Sequence, residues 1–378
     1  MANPSSVVEV AVHSFTTEFS LASERFRDSA ASAGCLVESH NIGVVVDGPN
    51  GDLEQPGIEV ASYRPKHSDR LVIVTSGVHG VEAPLGSAVQ SSVLECFRNH
   101  APDCSIVLVH VLNPYGFYHG RRFDEHNVDL NRNFLRDDEA YSGSPDGYRQ
   151  LDPLLNPVRI TGSDCFKLKA AWQVYRNGMA QMQQAVASGQ YDFPSGIFFG
   201  GSGPSMAHKW MREQLPCWVS GIRQVTHLDF HTGLGRWAKF MLMLEAEPEP
   251  HELNWLQGLA DASIKHPEGK SAGYTARGSF GSWCKDIAEL EEYLFVTAEC
   301  GTYPPIDVLA ALRAENFWFH QMHGQLHDTD AADHVRKQYS AAKRRLQRVF
   351  IPRSERWRRN AVAQGVEFVL AALDRNSQ

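Results

Sequence analysis

The fold is decided at residues 71–82, which read Leu71-Val72-Ile73-Val74-Thr75-Ser76-Gly77-Val78-His79-Gly80-Val81-Glu82. The apolar run at the start predicts a buried strand, and a histidine and a glutamate follow it closely. Open α/β sheets build their sites at the carboxyl ends of strands, so both side chains are predicted to lie in a site. Zinc accepts histidine nitrogen and glutamate oxygen at about 2.0–2.2 Å, and catalytic zinc sites commonly have three protein ligands. A third ligand is therefore expected elsewhere in the chain.

A second stretch supplies the candidate for the third ligand. It reads Gln224-Val225-Thr226-His227-Leu228-Asp229-Phe230-His231-Thr232-Gly233 and predicts a strand that runs into a glycine-containing turn. Because side chains alternate along a strand, His227, Asp229 and His231 share one face. His231 lies last before the turn and is the candidate ligand, whereas His227 and His110 are interpreted as buried strand histidines.

Three further motifs extend this pattern. Asn113-Pro114-Tyr115-Gly116-Phe117 ends an apolar strand, residues 128–134 contain Asp129-Leu130-Asn131-Arg132, and a strand at residues 295–303 delivers Glu299 to its end. In this order, over roughly residues 70–305, the motifs resemble the zinc carboxypeptidase-like metallohydrolases of the M14 clan, which also contains aspartoacylase-type deacylases. The resemblance is greatest to the bacterial M14-like branch of formerly unknown function (DUF2817-like).

The resemblance implies a zinc hydrolase with one Zn²⁺ per chain. Residues that match the family's zinc ligands are His79, Glu82 and His231. Residues that match its substrate-binding positions are Asn131, Arg132 and Tyr274. An arginine suits a substrate's free carboxylate because its planar guanidinium binds both oxygens and stays charged.

The resemblance also assigns the residues that assist the reaction. Asp129 matches the carboxylate that hydrogen-bonds the first zinc histidine and thereby fixes its tautomer. Glu299 matches the general base that takes a proton from water. One arginine matches the residue that polarises the scissile carbonyl. Arg121 and Arg122 both fit its spacing, and we favour Arg122.

These roles predict hydrolysis of an amide bond in a small peptide or N-acyl amino acid that has a free carboxylate. Zinc would polarise the carbonyl and lower the pKa of water toward about 7. Two alternatives stay open: an aspartoacylase-like deacylase specific for one acyl group, and a catalytically idle protein that binds ligands in the same pocket. The turn at His79 resembles the deacylases, whereas Asn131 and Arg132 resemble the carboxypeptidases, so the sequence does not choose between these two hydrolases.

Composition and charge agree with a soluble, cytoplasmic enzyme. The net charge of −8 and the pI near 6.1 argue against nucleic acid as a partner. Seven scattered cysteines favour reduced thiols. No run of about 18 apolar residues predicts a membrane span, and the first residues do not resemble a signal peptide. The expected partner is a small molecule or short peptide, and a second copy of the chain is an alternative partner for the last helix.

The predicted fold class is α/β, a single domain over residues 1–378 with a mixed, mostly parallel, twisted sheet flanked by helices, as in zinc carboxypeptidases. Strands are expected near residues 36–46, 57–63, 71–76, 105–112, 223–231, 239–244 and 293–299. Helices are expected near residues 11–34, 84–99, 164–187 and 250–264. Residues 137–222 are predicted to be an insertion that roofs the site. Residues 330–378 are predicted to be a helical extension whose basic residues lie on solvated helix faces.

Overall fold

The computed structural model describes residues 15–48, 50–98, 101–160, 164–178, 184–185, 188–259, 262–265, 276–324 and 329–375. Its strands are β1 (Leu36–His40), β2 (Val46–Asp47), β3 (Leu53–Glu54), β4 (Ile58–Tyr63), β5 (Arg70–Ser76), β6 (Ser105–His110), β7 (Gln224–Gly233), β8 (Phe240–Met243), β9 (Ser263–Lys265) and β10 (Glu292–Gly301). Eight of them form one sheet in the order β1-β4-β6-β5-β7-β10-β8-β9, and β2 pairs with β3.

The large sheet is mixed and mostly parallel, as predicted. Its parallel pairs are β5 with β6, β5 with β7, β7 with β10, and β8 with β9. The antiparallel pairs are β1 with β4, β4 with β6, and β10 with β8. Strand β7 therefore lies between two parallel neighbours, and all three strands end at the same edge of the sheet.

Helices cover both faces of this sheet. They are α1 (Phe19–Ser32), α2 (Ala83–Phe97), α3 (Pro114–His119), α4 (Asp146–Leu155), α5 (Phe166–Asn177), α6 (Met206–Val219), α7 (Pro250–Gln257), α8 (Phe280–Ala288), α9 (Pro305–His323), α10 (Thr329–Phe350) and α11 (Glu355–Asp374). Helix α2 packs against α1, α11 and β7 on one face, while α8 packs against α6 and β10 on the other. No helix in the described residues is both long enough and apolar enough to cross a bilayer.

Strand β5 shows why an apolar run forms a central strand here. Val72 and Val74 belong to the core beneath α2 and α11, whereas Leu71 and Ile73 belong to the core beneath α6 and α8. All four side chains are buried. A strand buried on both faces needs apolar residues at consecutive positions, which is the pattern of a covered parallel sheet.

Two predicted elements are wrong in extent. The strand expected at 36–46 stops at His40, because the Asn41 side chain accepts a hydrogen bond from the Gly43 amide and turns the chain. The helix expected at 250–264 ends at Gln257 before Gly258, and Ser263–Lys265 instead forms an edge strand beside β8.

Two other helices are shorter than predicted within the described residues. The opening helix begins at Phe19, and residues 11–14 of its predicted range lie outside the described residues. The helix expected at 164–187 ends at Asn177, since Gly178 follows with a φ of +81°. Part of the remaining range also lies outside the described residues.

The C-terminal helices pack on the body of the protein. Helix α11 lies against α2, and α10 contacts α9 and the turn at residues 80–82. Their apolar side chains Leu346, Phe350 and Trp357 are buried, whereas Arg344 and Arg345 are exposed. The basic residues of this region therefore lie mainly on solvated helix faces, as the sequence predicted.

A buried ion pair joins helix α9 to the loop after α3. The Arg121 Nε atom donates to the Glu315 carboxylate on α9 at 2.8 Å, and both side chains are fully buried. Arg121 also donates to the Asn127 side chain, and its guanidinium lies 3.2 Å from the ring centroid of Phe319. Arg121 is thus a structural residue that fixes the loop to α9.

Replacing Arg121 with methionine should destabilise the protein strongly. The variant leaves the Glu315 carboxylate buried without its partner, which costs about 3–5 kcal/mol in comparable pairs. Urea unfolding measures the loss, with Arg359→Ala as the control because its ion pair with Glu355 is exposed and such pairs contribute little. Equal stability of the two variants would show that the buried pair contributes nothing.

Candidate metal centre

The predicted ligands meet at the edge where β5, β7 and β10 end. His79 and Glu82 lie in the turn directly after β5, and His231 lies near the end of β7. Glu299 on β10 is paired in register with His231. The parallel alignment of the three strands therefore brings residues from distant parts of the sequence together.

Two glycines allow the turn after β5 its shape. Gly77 has a φ of +66°, a conformation that favours glycine. A Cβ atom at Gly80 would overlap the backbone of Gly116. The Val81 amide donates to the Arg121 carbonyl at 2.7 Å, so the turn is also bonded to the neighbouring loop. The positions of His79 and Glu82 are therefore fixed by backbone contacts.

Three donor atoms converge between these elements. The Nδ1 atom of His79 lies 3.0 Å from Glu82 Oε1 and 3.1 Å from the Nδ1 atom of His231. The Nδ1 atom of His231 lies 3.2 Å from Glu82 Oε2. All three side chains are buried. The structure thus brings the three predicted ligands to one point.

A carboxylate holds the far side of each histidine ring. The Nε2 atom of His79 donates to Asp129 at 3.0 Å, and the Nε2 atom of His231 donates to Asp229 at 2.6 Å. A proton on each Nε2 leaves both Nδ1 atoms as lone-pair donors that face one another and the Glu82 carboxylate. Such an arrangement needs a positive charge at this point. Burial would lower the pKa of His231, but Asp229 and Glu82 raise it well above its usual range, so a proton provides that charge where a metal ion does not.

The donor set fits zinc. Two imidazole nitrogens and one carboxylate oxygen are a recurrent ligand set of catalytic zinc sites, which leave a fourth position open. Ligand atoms at about 2.0–2.1 Å from a tetrahedral ion lie roughly 3.3 Å from one another. The separations of 3.0 to 3.2 Å between these three residues are close to that value.

Arg122, and not Arg121, lies beside this cluster. Its Nε atom donates to Asp129 at 3.0 Å, and its Nη1 atom donates to Glu82 at 3.0 Å. Burial by itself would raise the pKa of Asp129, but the Arg122 guanidinium and His79 hold that pKa well below its usual range. Arg122 therefore keeps the carboxylate behind His79 ionised, and it places a cation next to the donor atoms.

Glu299 lies beside the cluster without joining it. Its Oε1 atom accepts a hydrogen bond from the Leu234 amide at 2.8 Å, and its side chain is 6% exposed. Burial and the negative charge of Glu82 raise the pKa of Glu299 to about 7. A carboxyl group that titrates near neutral pH is suited to accept and release a proton. Cys300, the next residue, is buried in the core on the opposite face, as strand alternation predicted.

Asn131 and Arg132 follow Asp129 in a short turn. The Asn131 side-chain oxygen accepts from the Phe280 amide at 3.0 Å, so this residue fixes α8 to the turn. The Arg132 side chain is buried, its Nε atom has no hydrogen-bond partner, and no carboxylate among the described residues forms an ion pair with it. Its positive charge contributes to lowering the pKa of Asp129. Tyr274 lies outside the described residues.

The sequence interpretation missed two contacts of the cluster. Asp229 holds His231, and the Thr232 amide donates to Glu82 at 2.8 Å. Strand alternation placed Asp229 on the same face as His231, so the signal for its role was present. The hydrogen bond from the Thr232 backbone amide could not be predicted from the sequence, because every residue except proline has such a donor. His227 and His110 are buried and bonded to Tyr293 and Ser87, in agreement with their interpretation as strand histidines.

Replacing His231 with alanine should remove bound metal as well as activity. The variant keeps His79 and Glu82 but loses one of three converging donors, so zinc content per chain should fall well below one. Elemental analysis after dialysis measures it. His126→Ala is the matched control, because this histidine is 78% exposed and belongs to a neighbouring loop. Undiminished zinc in His231→Ala would contradict the assignment.

The chain is similar to known proteins in sequence and in structure. A family model described as a protein of unknown function, DUF2817, matches residues 15–364. A search of the curated proteins found no match. The structure is similar to carboxypeptidase A from Helicoverpa armigera, with 12% identity, coverage of 86% of this chain and 73% of that chain, and a TM-score of 0.44.

Two further solved structures are similar in the same range. The murein-tripeptide amidase from Escherichia coli O157 has 18% identity, coverage of 74% of this chain and 97% of that chain, and a TM-score of 0.38. The bovine thrombin-activatable fibrinolysis inhibitor, solved in complex with tick carboxypeptidase inhibitor, has 14% identity, coverage of 93% and 97%, and a TM-score of 0.45.

Proposed function

The chain belongs to the DUF2817 family of proteins of unknown function, and we propose that it is a zinc-dependent hydrolase that cleaves an amide bond in a small peptide or N-acyl amino acid with a free carboxylate. One observation carries this proposal. Two histidines and a glutamate direct three donor atoms at one point, and each histidine is held from behind by an aspartate. Carboxylate–histidine pairs of this kind are typical of zinc sites.

Zinc bound by His79, Glu82 and His231 would supply a Lewis acid for the carbonyl and would lower the pKa of water at the site. Glu299 would take a proton from water at the site and pass it to the leaving amine. Its surroundings suit this role, because a buried carboxyl group with a pKa near 7 can do both at neutral pH.

Arg122 is placed to stabilise negative charge on the carbonyl oxygen. Its Nε and Nη1 atoms are bound by Asp129 and Glu82, while no described residue is hydrogen-bonded to its Nη2 atom. The guanidinium is therefore held in one orientation before substrate arrives. Preorganised donors of this kind stabilise a developing charge without rearrangement during the reaction.

Arg132 is the candidate for the substrate's carboxylate. The side chain is buried, and its Nε atom is an unused donor. Its Nη1 atom donates to the Asn131 carbonyl, but no carboxylate among the described residues balances its charge. A buried charge is costly unless an anion pairs with it. A substrate carboxylate would do so, and this supports a free carboxylate on the substrate.

A substrate screen tests the proposal as a whole. Purified protein with zinc would be incubated with dipeptides and N-acyl amino acids, and mass spectrometry would detect the products. Release of C-terminal residues from varied peptides would indicate a carboxypeptidase, and cleavage of one acyl group would indicate a deacylase. Binding without turnover in the whole set would indicate the catalytically idle alternative.

Replacing Glu299 with glutamine should lower kcat by at least about a hundredfold, since general-base catalysis contributes roughly 10²–10⁴-fold. Zinc content should stay at the wild-type level, because Glu299 is not a ligand in this proposal. The pH profile gives a second measurement. Since burial raises the pKa of Glu299 to about 7, wild-type kcat should rise with pH as this carboxyl group ionises, and a bound cation would move that rise to lower pH.

Loss of zinc from Glu299→Gln would make Glu299 a ligand and contradict its role as a base. A kcat close to that of the wild type would mean that another group takes the proton. The rise in kcat at acidic pH should also be absent from the residual activity of the variant.

Replacing Arg132 with lysine should raise KM for substrates with a free carboxylate. Lysine keeps the charge but cannot bind both carboxylate oxygens in one plane. The wild type should prefer each substrate to its C-terminal amide, and Arg132→Lys should lose most of that preference. The ratio of kcat/KM for acid and amide measures it. An unchanged ratio would remove Arg132 from substrate binding.

A further inference from the structure

A chain of hydrogen bonds leads away from His231 across one face of the sheet. Asp229 accepts from the His231 Nε2 atom at 2.6 Å and from the Thr75 hydroxyl at 2.7 Å. The Thr75 hydroxyl lies 3.1 Å from the Nε2 atom of His227. The Nδ1 atom of His227 lies 2.8 Å from the Tyr293 hydroxyl.

Strand register aligns these side chains. Thr75 on β5 is paired with Asp229 on β7, and Tyr293 on β10 lies one strand away in the same layer. His227 and Asp229 share one face of β7 because they are two residues apart. Each of these side chains is at most 3% exposed. The hydrogen bonds therefore connect buried side chains directly, each to the next.

The donor and acceptor of each hydrogen bond in this series follow from the bond between Thr75 and Asp229. The Thr75 hydroxyl has a single proton and donates it to Asp229. Its oxygen must then accept from the His227 Nε2 atom. The Nδ1 atom of a neutral His227 carries a lone pair and must accept from the Tyr293 hydroxyl. Burial keeps this ring neutral, because it lowers the pKa of His227 to about 3.

We propose that Thr75, His227 and Tyr293 are positioning residues that hold Asp229, and through it the His231 ring, in the orientation that directs Nδ1 at the metal. This inference rests on the proposed zinc centre and deepens it. The other ligand is held differently, since Asp129 behind His79 is fixed by the charged Arg122. Asp229 has no such cation bonded to it among the described residues, and the neutral hydroxyl of Thr75 holds its second oxygen.

Replacing Thr75 with valine tests this role. Valine has nearly the same shape, but it removes the donor to Asp229 and the acceptor for His227. Zinc affinity, measured by competition with a chelator on the full chain, should fall about tenfold, the lower end for loss of a residue that supports a metal ligand. Tyr293→Phe should weaken zinc binding less, and Thr75→Ser should restore the wild-type affinity.

Thr226→Val is the matched control. Thr226 lies on β7 with its side chain on the opposite face, is equally buried, and uses its hydroxyl to accept from Arg375 at 3.0 Å. Its loss should leave zinc affinity unchanged. If Thr75→Val and Thr226→Val bind zinc as tightly as the wild type, the series of hydrogen bonds from Tyr293 to Asp229 does not position His231. If the wild type binds no zinc, the proposed function itself fails.

The tautomer of His227 gives an independent measurement that needs neither metal nor turnover. Ring ¹⁵N chemical shifts, assigned by comparison with His227→Gln, should show a neutral ring with its proton on Nε2. The same form should be present in metal-free and zinc-loaded protein. A proton on Nδ1 would reverse the direction of the chain and overturn the proposal, even if zinc binding were normal.

Discussion

The parallel alignment of β7 with both of its neighbours is the constraint on which the site depends. Because side chains alternate, the residues of the site on β5, β7 and β10 lie on one face of the sheet. A shift of one residue in β7 would turn His227, Asp229 and His231 into the opposite core, which is apolar. The apolar residues between these positions, such as Leu228 and Phe230, fix the register because they fill that core. The packing of the sheet and the geometry of the candidate metal centre therefore have the same cause.

The buried charges of the site explain why a divalent cation suits it. Four carboxylates lie close together there, those of Glu82, Asp129, Asp229 and Glu299. The positive groups beside them are Arg122, Arg132 and the His231 ring, whose pKa Asp229 and Glu82 raise against the effect of burial. Buried charges are costly unless they are paired. A dication would balance the excess negative charge. It would also favour the ionised form of Glu299, whose pKa the burial and the charge of Glu82 raise to about 7. Metal binding and ionisation of the proposed base would then support each other.

The sequence predicted the elements that carry strong hydrophobic periodicity and the residues at their ends. It predicted β5, β7 and β10, and hence the edge at which His79, Glu82, His231 and Glu299 meet. Short edge strands such as β9 were not predicted. Three residues show too little hydrophobic periodicity to distinguish a strand from the end of a helix. The choice between Arg121 and Arg122 could not be made from adjacent positions in a loop. Only the fold shows which of the two faces the donor atoms.

These adjacent arginines show how the C-terminal helices contribute to the site. Arg121 points into the protein and is bound to Glu315 on α9, whereas Arg122 points at Glu82 and Asp129. The backbone carbonyl of Arg121 also accepts from the amide of Val81, within the turn that contains the predicted ligands His79 and Glu82. The ion pair with α9 therefore fixes the backbone at residues 121 and 122. This segment binds the turn at residues 80–82 through the Arg121 carbonyl, and it carries the Arg122 side chain that contacts Glu82 and Asp129. Helix α10 packs directly on the same turn. Helices α9 and α10 thus stabilise the turn that contains His79 and Glu82, although neither helix contains a predicted ligand.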